Sequence, residues 1–131
     1  MPNEGRVYFG LFGSDFDPES LDLGIRPTKT QRRRDPRPKH SSWILSTDKV
    51  VSNVVDIYSM SSALVQSLLP FEEKIVAAMK AHHLEAVLEV VLTISADDSI
   101  STPAIGFDSV VVSFVSRVGG SIDIDTYRVE T

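Results

Sequence analysis

Four aspartates hold the clearest candidate chemistry in this 131-residue chain. Asp15 and Asp17 follow an apolar stretch near the start, and Asp123 and Asp125 lie two apart near the end. Residues two apart on a strand point to the same side, so Asp123 and Asp125 share a face. If the first and last strands were neighbours, all four carboxylates would meet at one end of a sheet. Such oxygen donors suit Mg²⁺ or Ca²⁺. The plainer alternative has Asp17 capping a helix, Asp123 and Asp125 pairing with arginines across the strand, and Asp15 solvated. That alternative is the one adopted: no metal and no cofactor is expected.

The second feature is an uneven charge. The net formal charge is −5, yet residues 26–39 contain Arg26, Lys29, Arg32, Arg33, Arg34, Arg37 and Lys39 against the single acid Asp35, so the segment carries +6 and the rest −11. Arg32, Arg33, Arg34, Arg37 and Lys39 are the candidate binding residues, because guanidinium groups grip carboxylate or phosphate in bidentate fashion. A solvated loop folded back on the acidic body is the bland reading of the same run.

Other candidates carry less. His82 and His83 are adjacent, and on a helix they point about 100° apart, so one metal can rarely use both; His40 is expected to be exposed. The chain has no cysteine, which removes disulfides, thiolate metal sites and a thiol nucleophile. No serine stands in Gly-x-Ser-x-Gly, and no phosphate-loop motif occurs. Trp43 could stack a base beside the basic run, but it sits in the triplet Trp43-Ile44-Leu45 and reads as a core anchor. The first residues lack a basic-then-apolar leader pattern, and no apolar run reaches 18 residues, so a cytoplasmic protein without a membrane span is expected.

The elements that must position these residues follow from periodicity. Residues 6–12 alternate as a central strand, with Gly10 hinting at a bulge or a close approach by another backbone. Asp17-Pro18 opens a short helix that Gly24 closes. Residues 28–33 and 41–46 form the arms of a hairpin, or a loop leading to one strand. Helical spacing begins near residue 54 and is interrupted by Pro70. A second helix follows, with Phe71, Ile75, Met79 and His82 on one face. Residues 86–94 are the surest strand. Asp108 caps a helix with the stripe Val111, Phe114, Val115 and Val118. Residues 121–129 close the chain, Ile122 and Ile124 inward and Asp123 and Asp125 outward. The strand–helix–strand run from residue 86 implies parallel pairing. The expected fold is α/β (α+β): one domain over 1–131, a two-layer sandwich with a mixed sheet of four to five strands and three to four helices packed on it.

Several stretches together carry a resemblance. They are residues 7–18 (Val-Tyr-Phe-Gly-Leu-Phe-Gly-Ser-Asp-Phe-Asp-Pro), residues 23–28 (Leu-Gly-Ile-Arg-Pro-Thr), Asp35-Pro36, Ser41-Ser42-Trp43, and the end from Ser121 to Tyr127. In order and spacing the chain resembles a bacterial family catalogued as domain of unknown function 4279. Arg34 stands where that family usually has Gly before its Asp-Pro. The resemblance implies a fold unit and a cytoplasmic setting, and no reaction.

Three functional readings are open at this level. The leading one is a non-enzymatic binding module, of immunity or regulatory type, meeting an acidic protein partner through residues 26–39. The second is an anion, nucleotide or nucleic-acid binder using the same arginines. The third is a metal-dependent enzyme using the aspartates. A homodimer is compatible with all three.

Overall fold

The computed structural model describes residues 2–129, the side chain of Val129 excepted. Strand β1 (Asn3–Gly13) runs through the middle of a six-stranded sheet. Val7, Phe9 and Leu11 alternate with Arg6, Tyr8 and Phe12, so one face of β1 is wholly apolar, as a two-residue period demands. β3 (Ser41–Ser46) pairs antiparallel with the second half of β1, and the three-residue strand β2 (Lys29–Gln31) pairs antiparallel with β3 at the sheet edge. β2 and β3 are thus the hairpin arms. β5 (Glu85–Ser95) pairs antiparallel on the other side of β1, and β6 (Ser121–Val129) runs parallel to β5 at the far edge.

The sheet has one strand more than the four to five expected. β4 (Val50–Ser52) pairs antiparallel with Asn3–Gly5 of β1 and prolongs the line of β3 after a break at residues 47–49. Thr47 bridges that break: its N–H donates to the Val7 carbonyl (2.9 Å), and its hydroxyl accepts from the Val7 N–H (3.1 Å). Val50-Val51-Ser52 is too short to show a period in sequence; only its partner on β1 makes it a strand.

Three α-helices lie on one face. α1 (Ile57–Leu68) is capped by Asp56, whose carboxylate accepts from the Ser59 N–H (3.1 Å). A single 3-10 turn at Leu69–Phe71, where Pro70 falls, leads into α2 (Glu72–His82). α3 (Ser109–Val118) crosses from β5 to β6; Asp108 caps it at the Val111 N–H (2.9 Å), and Gly119, at φ 74°, ends it in the left-handed conformation that favours glycine. The short helix after Asp17 is one 3-10 turn, Pro18–Ser20. Helical spacing near residue 54 overshoots, since Val54 is exposed and the helix starts at Ile57.

The core lies between sheet and helices. Phe9, Leu11, Trp43, Leu88 and Leu92 from the strands meet Ile57, Leu68, Ile75 and Phe114 from the helices, all shut off from solvent. Each such side chain gains about 1.5–3 kcal/mol on leaving water. Trp43 is a core anchor, and its indole N–H finds no partner. His82, placed with the buried stripe of α2, is exposed instead and lies beside Phe16, ring centroids 6.3 Å apart. Gly10 makes no bulge: pairing on both sides is continuous. No other backbone approaches it either: the Phe12 ring of the same strand fills the space, and a Cβ at Gly10 would stand 2.5 Å from it.

Candidate functional site

All three helices pack on the Val7–Phe9–Leu11 face, so the alternate residues of each strand form a second, uncovered face. Cross-strand register lays Ser46, Tyr8, Glu89 and Asp123 in one row across β3, β1, β5 and β6. Arg6, Gln31, Ser42 and Ile44 share that face with them, and so do Lys29 and Asp125. The row divides the face electrically. Its β5–β6 side is acidic, and its β2–β1 side is cationic.

On the acidic side, one carboxylate oxygen each from Glu89, Asp123 and Asp125 lie within 4.8 Å of one another. Asp123 and Asp125 are exposed on the edge strand, while Glu89 is only 4% exposed on the neighbouring central strand. Burial, then contact with Asp125 and Asp123, pushes the Glu89 carboxyl up from 4.5 to about 8. The physical cause is the cost of holding a charge away from water beside two like charges. Tyr8 is its cross-strand partner, and the Tyr8 phenol is raised as well, first by burial and then by the Glu89 charge. Arg6 lies over the Tyr8 ring, 5.6 Å from its centroid.

Asp123 and Asp125 therefore point outward, and the structure brings them to Glu89, not to arginines. Asp15 and Asp17 do not join them. The premise that the first and last strands are neighbours fails, because β5 lies between β1 and β6. Asp17 caps the 3-10 turn at the Glu19 N–H (3.1 Å) and pairs with Arg32 (2.7 Å). Asp15 is exposed and borders a small depression with Arg32 and Arg33.

The basic segment is anchored at its start and free beyond. Arg32 is held by Asp17, and Arg33 donates from Nη1 to the Ser14 carbonyl (3.1 Å) and from its backbone to the Ser41 hydroxyl (2.8 Å). Arg34, Arg37 and Lys39 are exposed, and none enters an ion pair among the described residues. They line a hollow of about 560 Å³ with Gln31 and Pro38. Gln31 also borders the hollow of about 570 Å³ on the open face, where Arg6, Lys29 and Lys49 stand around Tyr8 and Ile44. The two hollows adjoin across β2. Arg34 takes an ordinary backbone conformation, its N–H donating to the Pro38 carbonyl (2.9 Å); the turn there does not require glycine.

Sequence reasoning missed Glu89, Arg6 and Lys49. A lone carboxylate in the apolar run Ala86-Val87-Leu88-Glu89-Val90-Val91-Leu92 was the available signal for Glu89. Nothing local marked the two bases: Arg6 lies on β1 and Lys49 in the break between β3 and β4, and the pairing of these strands brings the two to one hollow.

The fold is an α+β arrangement, helices on one side of a mixed sheet and the other side open. The chain belongs to the family described as Domain of unknown function (DUF4279), which it matches over residues 3–129. No curated protein and no solved structure matches it. No helix of the described residues is long and apolar enough to cross a membrane.

Proposed function

We propose that the chain is a non-enzymatic binding module that takes an acidic protein partner on its β2 side. One observation carries this reading: Arg34, Arg37 and Lys39 project beside Arg6, Lys29 and Lys49, and among the described residues only Lys49 of these six forms an ion pair, with Glu4 at 3.8 Å, although Asp48 borders the same hollow. A cluster with a surplus of cations on an acidic body draws an acidic surface from a distance and orients it on arrival. A nucleic acid fits less well. Its phosphate track would run on toward Glu89, Asp123 and Asp125, and Trp43, the stacking candidate, is buried. The absence of cysteine suits a reducing setting such as the cytoplasm.

The test is titration of the full chain with poly-L-glutamate at low and high salt, in parallel with single-stranded DNA. The comparison variant carries Arg34→Ala, Arg37→Ala and Lys39→Ala. These side chains are exposed, so its stability should stay within about 0.5 kcal/mol of the parent. The reading expects polyglutamate to bind the parent, to weaken with salt, and to lose the variant. Equal binding by parent and variant overturns it, and tighter binding of DNA than of polyglutamate reassigns the partner class.

A further inference from the structure

Two exposed aspartates on an edge strand are unremarkable by themselves. Glu89 is different. It stands on the next strand inward between Val87 and Val91, nine-tenths buried, with its carboxylate turned to both aspartates. None of the ion pairs among the described residues includes it, and the described groups that raise its carboxyl are Asp125 and Asp123. Arg6, the cation on the adjoining strand, is placed over the Tyr8 ring. A carboxylic acid this buried keeps its proton unless a cation takes the proton's place.

The donors are hard oxygens alone, with no nitrogen or sulfur, which selects a hard divalent cation. Their number chooses between the two common ones. Ca²⁺ accepts several carboxylate oxygens at about 2.3–2.6 Å in an irregular shell, whereas Mg²⁺ demands a near-octahedral one, keeps several waters and usually takes one or two carboxylates. Three carboxylate oxygens gathered within 4.8 Å of one another match the calcium pattern by their number. We propose that Glu89, Asp123 and Asp125 hold a calcium ion on the open face of the sheet, with Glu89 as the buried ligand and water completing the shell. This site is separate from the cationic side and does not depend on the binding function proposed there.

Calorimetric titration of the chelator-treated full chain with CaCl₂, followed by amide NMR, tests this. The variants are Glu89→Gln, Asp123→Asn and, as a control, Asp98→Asn on an exposed turn. Even groups behind a metal's ligands are worth about 10–100-fold in affinity, so loss of a ligand should weaken calcium at least tenfold in the first two. Asp98→Asn should match the parent, and shifts should centre on Glu89, Asp123 and Asp125. Should Glu89→Gln not fold, Asp123→Asn on the exposed edge decides the matter. The proposal is overturned by the absence of heat and shifts at millimolar calcium, by parental affinity in the ligand variants, or by Mg²⁺ binding as tightly as Ca²⁺.

Discussion

Replacing Glu89 by Gln should make the protein more stable at high pH and leave it nearly unchanged at low pH. In the native state the Glu89 carboxyl is held at about 8, against an ordinary 4.5. Its folded value is raised, so the native state binds a proton more tightly than the unfolded chain between those limits. Stability from this group is therefore complete below about pH 4.5 and drains away as pH rises to about 8. At about 1.4 kcal/mol per pH unit the ceiling is about 5 kcal/mol. Asp123 and Asp125 are exposed and keep water beside the group, which cuts this to about 1–3 kcal/mol. Glutamine copies the neutral acid in shape and never ionises. The difference between parent and variant should be near zero at about pH 5 and reach about 1–3 kcal/mol in favour of the variant at about pH 9. Urea titrations followed by the fluorescence of Trp43, the single, buried tryptophan, measure it in metal-free buffer. Titrating groups away from Glu89 are common to both proteins and cancel, so the difference reports Glu89 together with the carboxylates it touches. A difference that stays flat across this range would refute the argument, since it would show that Glu89 ionises in the native state as freely as in the unfolded chain.

Two further outcomes test the packing that positions the site. Phe114→Ala removes a fully buried ring set edge-on to Phe9 at 5.6 Å between centroids; thermal unfolding should show a loss of about 3–5 kcal/mol, and a loss under about 1 kcal/mol would mean that α3 is not docked as described. Asp108→Ala removes the cap of α3 and the contact with the Ser62 hydroxyl of α1 (2.6 Å). The Ser62 hydrogen bond and then the Val111 N–H hold the Asp108 carboxyl below its ordinary value. Its contribution is present above the usual carboxylate range and lost as pH falls through the lowered folded value, so the variant should be less stable at neutral pH and converge with the parent in acid. Parallel acid-unfolding curves would contradict this.

Much of the fold was legible because its signals are local. The alternation of Val7, Phe9 and Leu11, the stripe Val111–Phe114–Val115–Val118 and the cap at Asp108 each lie within a few residues, where strand and helix periods are set by backbone geometry. The parallel pairing of β5 and β6 followed from the helix between them. β4 was not legible, since three residues carry no period and its strand identity comes from hydrogen bonds to Asn3–Gly5.

The charges divide in the same way. The order of residues put +6 into 26–39 and, through strand alternation, turned Asp123 and Asp125 outward. It did not say which carboxylates meet. That was settled by the order of strands: β5, inserted between β1 and β6, separates Asp15 and Asp17 from Asp123 and Asp125 and brings Glu89 to the latter pair instead. Which arginines are neutralised was likewise a matter of reach, with Arg32 falling beside Asp17 while Arg34, Arg37 and Lys39 extend past the edge of the sheet. Periodicity is a property of neighbours along the chain, whereas charge pairing depends on distance in space, and only strand order and register convert the one into the other.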